Sequence, residues 1–251
     1  MAIFSVFYWS FFLASLPIFF LPQLLLWVLT APFDRRRLAL HLYACFWGHA
    51  YVWLNPFWRT TFVGKERLPW SGPAVIVANH LSILDILVLY GLFRPFKWVS
   101  KESIFRIPFI GWNMTLNDYV PLRRGDRASI QRMMDHCRRH LAAGMPVLLF
   151  PEGTRSLDGV LQPFKEGAFR LACEAGCPLI PVAISGTERG LPKHGVMLRN
   201  RMYARVEVLA PILPADHGGD PARLRDAARA AIAAALATAA PWERPSAGGT
   251  S

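Results

Sequence analysis

Ala74-Val75-Ile76-Val77-Ala78-Asn79-His80-Leu81-Ser82-Ile83-Leu84-Asp85 begins as one unbroken apolar run and ends at the start of another. The first run is short and β-branched, which predicts a strand buried on both faces. The second, Ile83–Leu92, has the length and spacing of a helix. Asn79, His80 and Ser82 lie at the junction. On a regular helix His80 and Asp85 would diverge by about 140°. A loop that leaves a strand and enters a helix can instead fold them together. Asp85 would then accept a hydrogen bond from one ring nitrogen of His80, fixing the tautomer and leaving the other nitrogen as a base. Ser82 is expected to cap the helix. Taken alone, the same spacing also fits a satisfied core histidine beside an unrelated first-turn aspartate.

Outward from this junction the pattern repeats. Thr61–Val63, Ala74–Ala78, Trp98–Ser100, Tyr119–Pro121, Val147–Phe150, Leu179–Ala183 and Arg205–Val208 read as strands. Helical stretches at Ile83–Leu92, Arg127–Ala143 and Ala168–Glu174 lie between them. Apolar strands alternating with helices predict an α/β domain over residues 59–214, its mostly buried mixed sheet flanked by helices. Beyond it, Pro221–Ala239 reads as an Ala-rich helix, and the Pro/Gly/Ser-rich tail from Pro241 reads as disordered.

A second motif, Phe150-Pro151-Glu152-Gly153-Thr154-Arg155-Ser156, also follows an apolar run and breaks it with Pro and Gly. A loop presenting Arg155 three residues after Glu152 suits a phosphate, because the guanidinium offers a planar fork of donors. A strand-capping turn with a solvated Glu–Arg pair fits equally well.

Together the two motifs resemble the glycerolipid acyltransferase superfamily, most closely its bacterial 1-acylglycerol-3-phosphate acyltransferases. His80 and Asp85 match that family's histidine–aspartate block, and Glu152, Gly153, Thr154 and Arg155 match its Glu-Gly-Thr-Arg block without a gap. Two weaker blocks follow the same order. Ile107-Pro108-Phe109-Ile110-Gly111-Trp112 leads to Arg123, aligned with the substrate-binding arginine, and Ile180-Pro181-Val182-Ala183-Ile184 matches the fourth. Phe164-Lys165-Glu166-Gly167-Ala168-Phe169 resembles the segment after the third. In one departure, Leu122 stands where an acidic residue usually precedes that arginine.

The resemblance implies transfer of a fatty acyl group from acyl-CoA or acyl carrier protein to the sn-2 hydroxyl of 1-acylglycerol-3-phosphate, giving phosphatidic acid. His80 would take the hydroxyl proton while Asp85 steadies the imidazolium, and Glu152, Arg155 and Arg123 would hold the glycerol phosphate. Lys101 reads either as a partner for the phosphate or thioester oxyanion, or as an ordinary surface lysine. There is no Gly-x-Ser-x-Gly elbow and no cysteine beside the motifs, so no covalent nucleophile is implied. Without a P-loop or dinucleotide fingerprint, no nucleotide cofactor is implied either. Another lysophospholipid or an aminolipid as acceptor is the nearest alternative. A catalytically silent lipid-binding protein is the alternative of another class.

Residues 1–33 contain no Asp, Glu, Lys, Arg or His. As a helix they exceed the roughly 20 residues that cross a bilayer, and Pro17 and Pro22 predict a kinked or oblique helix. A cleaved signal peptide is disfavoured by the lack of a basic leader and by Arg35-Arg36-Arg37 after the apolar run. Those arginines favour the cytoplasmic side. A second apolar stretch, Leu38 to about Trp58, carries His41, His49 and many Tyr and Trp residues suited to headgroups. The expectation is a two-helix anchor over residues 1–58, sunk in the cytoplasmic leaflet of the cell inner membrane with the catalytic domain on the cytoplasmic face; a single span by the first segment is also compatible. A net charge of +11 calls for anionic partners. With no nucleic-acid motif present, anionic membrane lipid or an acidic carrier is preferred to nucleic acid. Cys45, Cys137, Cys173 and Cys177 lack the spacing of a metal or disulfide framework. His136 and His140, four apart on a predicted helix, could hold a metal. Arg132, Arg138 and Arg139 around them and the want of a third ligand favour a solvated face.

Overall fold

The computed structural model describes residues 2–156, 159–191, 197–198 and 201–238. All seven expected strands are present: β1 (Trp58–Val63), β2 (Val75–Ala78), β3 (Lys97–Lys101), β4 (Val120–Leu122), β5 (Val147–Leu149), β6 (Leu179–Ser185) and β7 (Met202–Val208). They form one sheet in the order β1-β7-β6-β2-β5-β3-β4. Every neighbouring pair is parallel except β6 with β7. The sheet is therefore mixed, and its parallel part runs from β6 through β2 and β5 to β4.

Alternation along the central strands divides the core into two layers. Ile76, Ala78, Ile180, Val182 and Ile184 pack beneath α1 (Ala2–Thr30), α2 (Leu38–Trp53), α3 (Leu84–Tyr90) and α4 (Ile110–Leu116). Val75, Val77, Leu179 and Ala183 face the other way, beneath α5 (Arg127–Ala142), α6 (Gly167–Ala175) and α7 (Pro221–Thr238). Covering both faces is what permits the near-continuous apolar strands. The tail from Pro241 lies outside the described residues.

The amino-terminal expectation divides in two. α1 runs through Pro17 and Pro22 as a single helix, as membrane-type helices can when neighbouring groups satisfy the freed carbonyls. Among the described residues it is the one helix long and apolar enough to cross a membrane. Ile3, Phe7, Leu21, Leu25 and Val28 point outward, while Ser5, Tyr8, Leu16, Phe20 and Gln23 turn inward. That inner stripe is held by polar bonds. Tyr8 Oη donates to Tyr51 O at 3.1 Å, and Gln23 Nε2 donates to Asn113 Oδ1 at 2.6 Å.

α2, by contrast, belongs to the body of the domain. Its histidines face inward rather than toward headgroups. His41 Nε2 donates to Arg94 O at 2.9 Å, which leaves Nδ1 to accept from Tyr119 Oη at 2.8 Å. His49 Nδ1 bonds Leu87 O at 3.0 Å. Asp34 starts the helix by accepting from Leu38 N at 2.8 Å and Ala39 N at 2.7 Å. A polar residue in an apolar run can mark a buried bond as readily as an interface, and here it does.

Candidate active site

Four parallel strands deliver the motif residues to a single edge. His80 follows β2, Glu152 and Arg155 follow β5, Lys101 ends β3, and Arg123 follows β4. These strands are neighbours in the order β2-β5-β3-β4, so β2 and β4 lie about 14 Å apart at the usual strand spacing. The carboxyl edge of a parallel sheet is where such folds bind ligands.

The loop after β2 folds as the strand–helix junction requires. His80 Nδ1 and Asp85 Oδ2 are 2.7 Å apart. The same oxygen accepts from Leu81 N at 2.7 Å and Ser82 N at 2.9 Å, and Thr187 Oγ1 donates to the other oxygen. Four donors thus surround a carboxylate that is 0% exposed, the arrangement that keeps a buried charge tolerable. Since the carboxylate accepts, Nδ1 carries the proton and the lone pair lies on Nε2. The imidazole stacks on Phe150, with centroids 4.0 Å apart and planes 13° from parallel. Ser82 meets its expectation in part, since its Oγ accepts from Leu84 N, the first residue of α3, at 3.3 Å. Ile83 occupies the N-cap position, while Ser82 Oγ donates to Leu191 O at 2.6 Å.

Glu152 is buried and bonded on both oxygens. Oε1 accepts from His80 N at 2.7 Å and Oε2 from Gln162 N at 2.9 Å. Ser156 N in turn donates to His80 O at 2.8 Å. The second motif therefore braces the backbone of the first, and the Glu152 carboxylate is spent inside the protein. Burial pushes its pKa up, against the pull of those two amides. Gly153 is in the left-handed region at φ 69°. Its missing Cβ leaves room for Lys165, whose Nζ would lie 2.8 Å from that atom. Thr154 is exposed and Arg155 half-buried.

The cations gather farther along the edge. Lys101, Arg106, Arg123 and Arg124 line a cavity of about 260 Å³ together with Glu102, Ser103 and Leu122. Arg123 Nε donates to Glu102 Oε2 at 2.9 Å. Position 122 lacks the usual acid, and Glu102, beyond the β3 end that pairs Lys101 with Leu122, puts a carboxylate against Arg123 instead.

A match to the acyltransferase family model spans residues 59–185, half of the chain. A 1-acyl-sn-glycerol-3-phosphate acyltransferase of Chlamydomonas reinhardtii is 44% identical over 232 residues, covering 92% of this chain and 68% of its own length. The chain belongs to the acyltransferase family. A chloroplastic relative of Brassica napus, at 40% identity over 206 residues, also carries the 1-acyl-sn-glycerol-3-phosphate acyltransferase name. That match covers 81% of this chain and 58% of the relative, so the chain spans little more than half of the plant protein. The fold matches the crystal structure of PlsC, the 1-acyl-sn-glycerophosphate acyltransferase of Thermotoga maritima. The TM-score is 0.75 at 22% identity, over 96% of this chain and 98% of that one.

This acyltransferase domain also uses residues that no linear motif displays. Thr187 lies just past the matched span and reaches Asp85 from the turn after β6. Gly186 makes the turn possible at φ 87°, since a Cβ there would lie 1.9 Å from Tyr203 O. Asn79 extends the sheet by a side-chain ladder, donating to Ile184 O and accepting from Ile184 N, each at 2.8 Å. Each pairing joins residues about a hundred positions apart. The histidines of α5 also depart from the solvated face expected of them. His140 is buried, and burial together with the Lys97 ammonium pushes its pKa down to about 4.

Proposed function

We propose that this acyltransferase moves a fatty acyl group from acyl-CoA or acyl carrier protein to the sn-2 hydroxyl of 1-acylglycerol-3-phosphate, giving phosphatidic acid. The observation that carries this reading is the His80–Asp85 pair, with the lone pair left on Nε2 and its carboxylate satisfied by four donors.

His80 Nε2 accepts the acceptor's hydroxyl proton as that oxygen attacks the thioester carbonyl. Asp85 holds the imidazolium that results. Collapse of the tetrahedral intermediate breaks the carbon–sulfur bond, and the thiolate leaves as a thiol with the proton from Nε2. The acceptor hydroxyl is itself the nucleophile, and the reaction as written needs no cofactor. Arg123, Lys101 and Arg155 hold the phosphate, turning an encounter of two substrates into an oriented one. An extended arginine and a glycerol phosphate together bridge the distance from β4 to His80. Glu152 acts indirectly, through the His80 backbone. α1 and anionic lipid hold the domain at the cytoplasmic face of the inner membrane, where both substrates arrive.

The test is transfer of labelled acyl groups from acyl-CoA to lysophosphatidic acid by purified protein and by His80→Ala. The variant is expected to lose about 10³-fold in kcat, and near wild-type turnover would refute the mechanism. Lysophosphatidylcholine and lysophosphatidylethanolamine are expected to be poor acceptors. Equal use of either one would refute the choice of acceptor.

A further inference from the structure

At the far end of α5 the structure supplies the third ligand that the linear sequence does not show. The turn between α4 and β4 places Asp118 in the left-handed region, φ 57°, an unusual conformation for a residue with a side chain. Its carboxylate thereby lies over α5. His136 Nε2 is 3.1 Å from Asp118 Oδ1, and His140 Nε2 is 3.7 Å from Asp118 Oδ2. The two imidazoles, one helical turn apart, stack with centroids 4.7 Å apart and planes 25° from parallel. One ligand atom from each of the three residues falls within 4.8 Å of the others.

From these distances we infer that Asp118, His136 and His140 form a site for a divalent transition ion of the zinc class. Metal–ligand bonds of about 2.0–2.1 Å at tetrahedral angles set neighbouring ligand atoms roughly 3.3 Å apart. His136 Nε2 meets one carboxylate oxygen at 3.1 Å and His140 Nε2 the other at 3.7 Å, and the whole set lies within 4.8 Å, so the ligands draw together as the ion binds. The donor set, two imidazoles and one carboxylate, is that of an open zinc site. A cavity of about 410 Å³ beside His136, lined also by Glu102, Ser129, Arg132, Asp135 and Arg139, gives the ion a route in and leaves a ligand position to water. His140 Nε2 lies 2.9 Å from Asp118 O, so the metal-free ring donates there. Binding moves that proton to Nδ1. Lys97, Arg132 and Arg139 oppose a cation, and they set the expected affinity in the micromolar range rather than the nanomolar. An ion bound here ties α5 to the turn that leads into β4. The inference stands apart from the acyl-transfer chemistry.

The experiment uses the full chain in detergent micelles, stripped with chelator and titrated with Zn²⁺ by calorimetry. Expected are one ion per chain with Kd of about 1–10 µM and, at about one hundred times Kd, a Tm higher by roughly 5 °C. Asp118→Asn and His136→Ala should each weaken binding by about 10–100-fold, while His217→Ala leaves it unchanged. Co²⁺ in place of Zn²⁺ should show the visible bands of a four- or five-coordinate site. Circular dichroism of the stripped variants checks that they fold. The site is refuted if binding is weaker than about 1 mM, or if stoichiometric binding survives the Asp118→Asn/His136→Ala double substitution.

Discussion

Asp85 and Arg123 lie on the same sheet edge and meet opposite treatment. Asp85 is completely buried and has four donors from two stretches of chain. Arg123 is 58% exposed, with one side-chain partner among the described residues, itself 39% exposed. An exposed pair of that kind contributes about 0–1 kcal/mol. The contrast follows from what each must do. A charge that steadies a transient imidazolium works best when its surroundings need no rearrangement during the reaction. Under the proposed function, Arg123 captures a phosphate, so it must be reachable and its Glu102 partner easy to displace.

Substitutions on the two sides of this contrast should therefore fail differently. Thr187→Val keeps the shape and removes one donor, so Asp85 is left with an unsatisfied buried oxygen, a defect of about 1–3 kcal/mol. The expected result is a fall in kcat of about 10–100-fold with little change in KM, rescued by Thr187→Ser. A smaller loss is expected for Arg123→Ala. KM for lysophosphatidic acid should rise about 10-fold with kcat within a few-fold, and the difference from wild type should shrink as salt screens the exposed charge. Unchanged KM would remove Arg123 from the phosphate site.

Smallest is an effect on stability from Lys97, a buried charge without the complement of partners that Asp85 has. Its Nζ donates to Asn117 O at 2.6 Å, and burial lowers its pKa from 10.5 to about 8. Between those values the unfolded chain binds more protons than the folded one, so stability should rise with pH through that window. Thermal unfolding of wild type and Lys97→Met should show the slope in the first and not in the second.

The strands are legible in the sequence because each central one is apolar on both faces, as a sheet covered on both sides demands. His80 and Asp85 are legible because their partnership is local. The rest is hidden by distance. Thr187 reaches Asp85, Asn79 joins Ile184, and Glu152 holds His80 N, all across long separations that carry no periodic signal. α4 escapes notice because Phe109 turns into it at φ 62° and Gly111 and Asn113 blur its pattern. α2 reads as a membrane segment because hydropathy cannot tell a helix buried in protein from one buried in lipid. The Glu102–Arg123 contact could be guessed only by knowing that β3 and β4 are neighbours.

The position of β1 has a further consequence for biosynthesis. Its one partner in the sheet is β7, with Trp58 beside Met202 and Val63 beside Glu207. More than a hundred residues separate the two strands, and closing so long a loop is slow. During translation α1 and β1 both leave the ribosome while the partner of β1 is still unmade. The edge strand β1 therefore waits unpaired until β7 emerges, and the sheet closes only after α1 and the other six strands have been made.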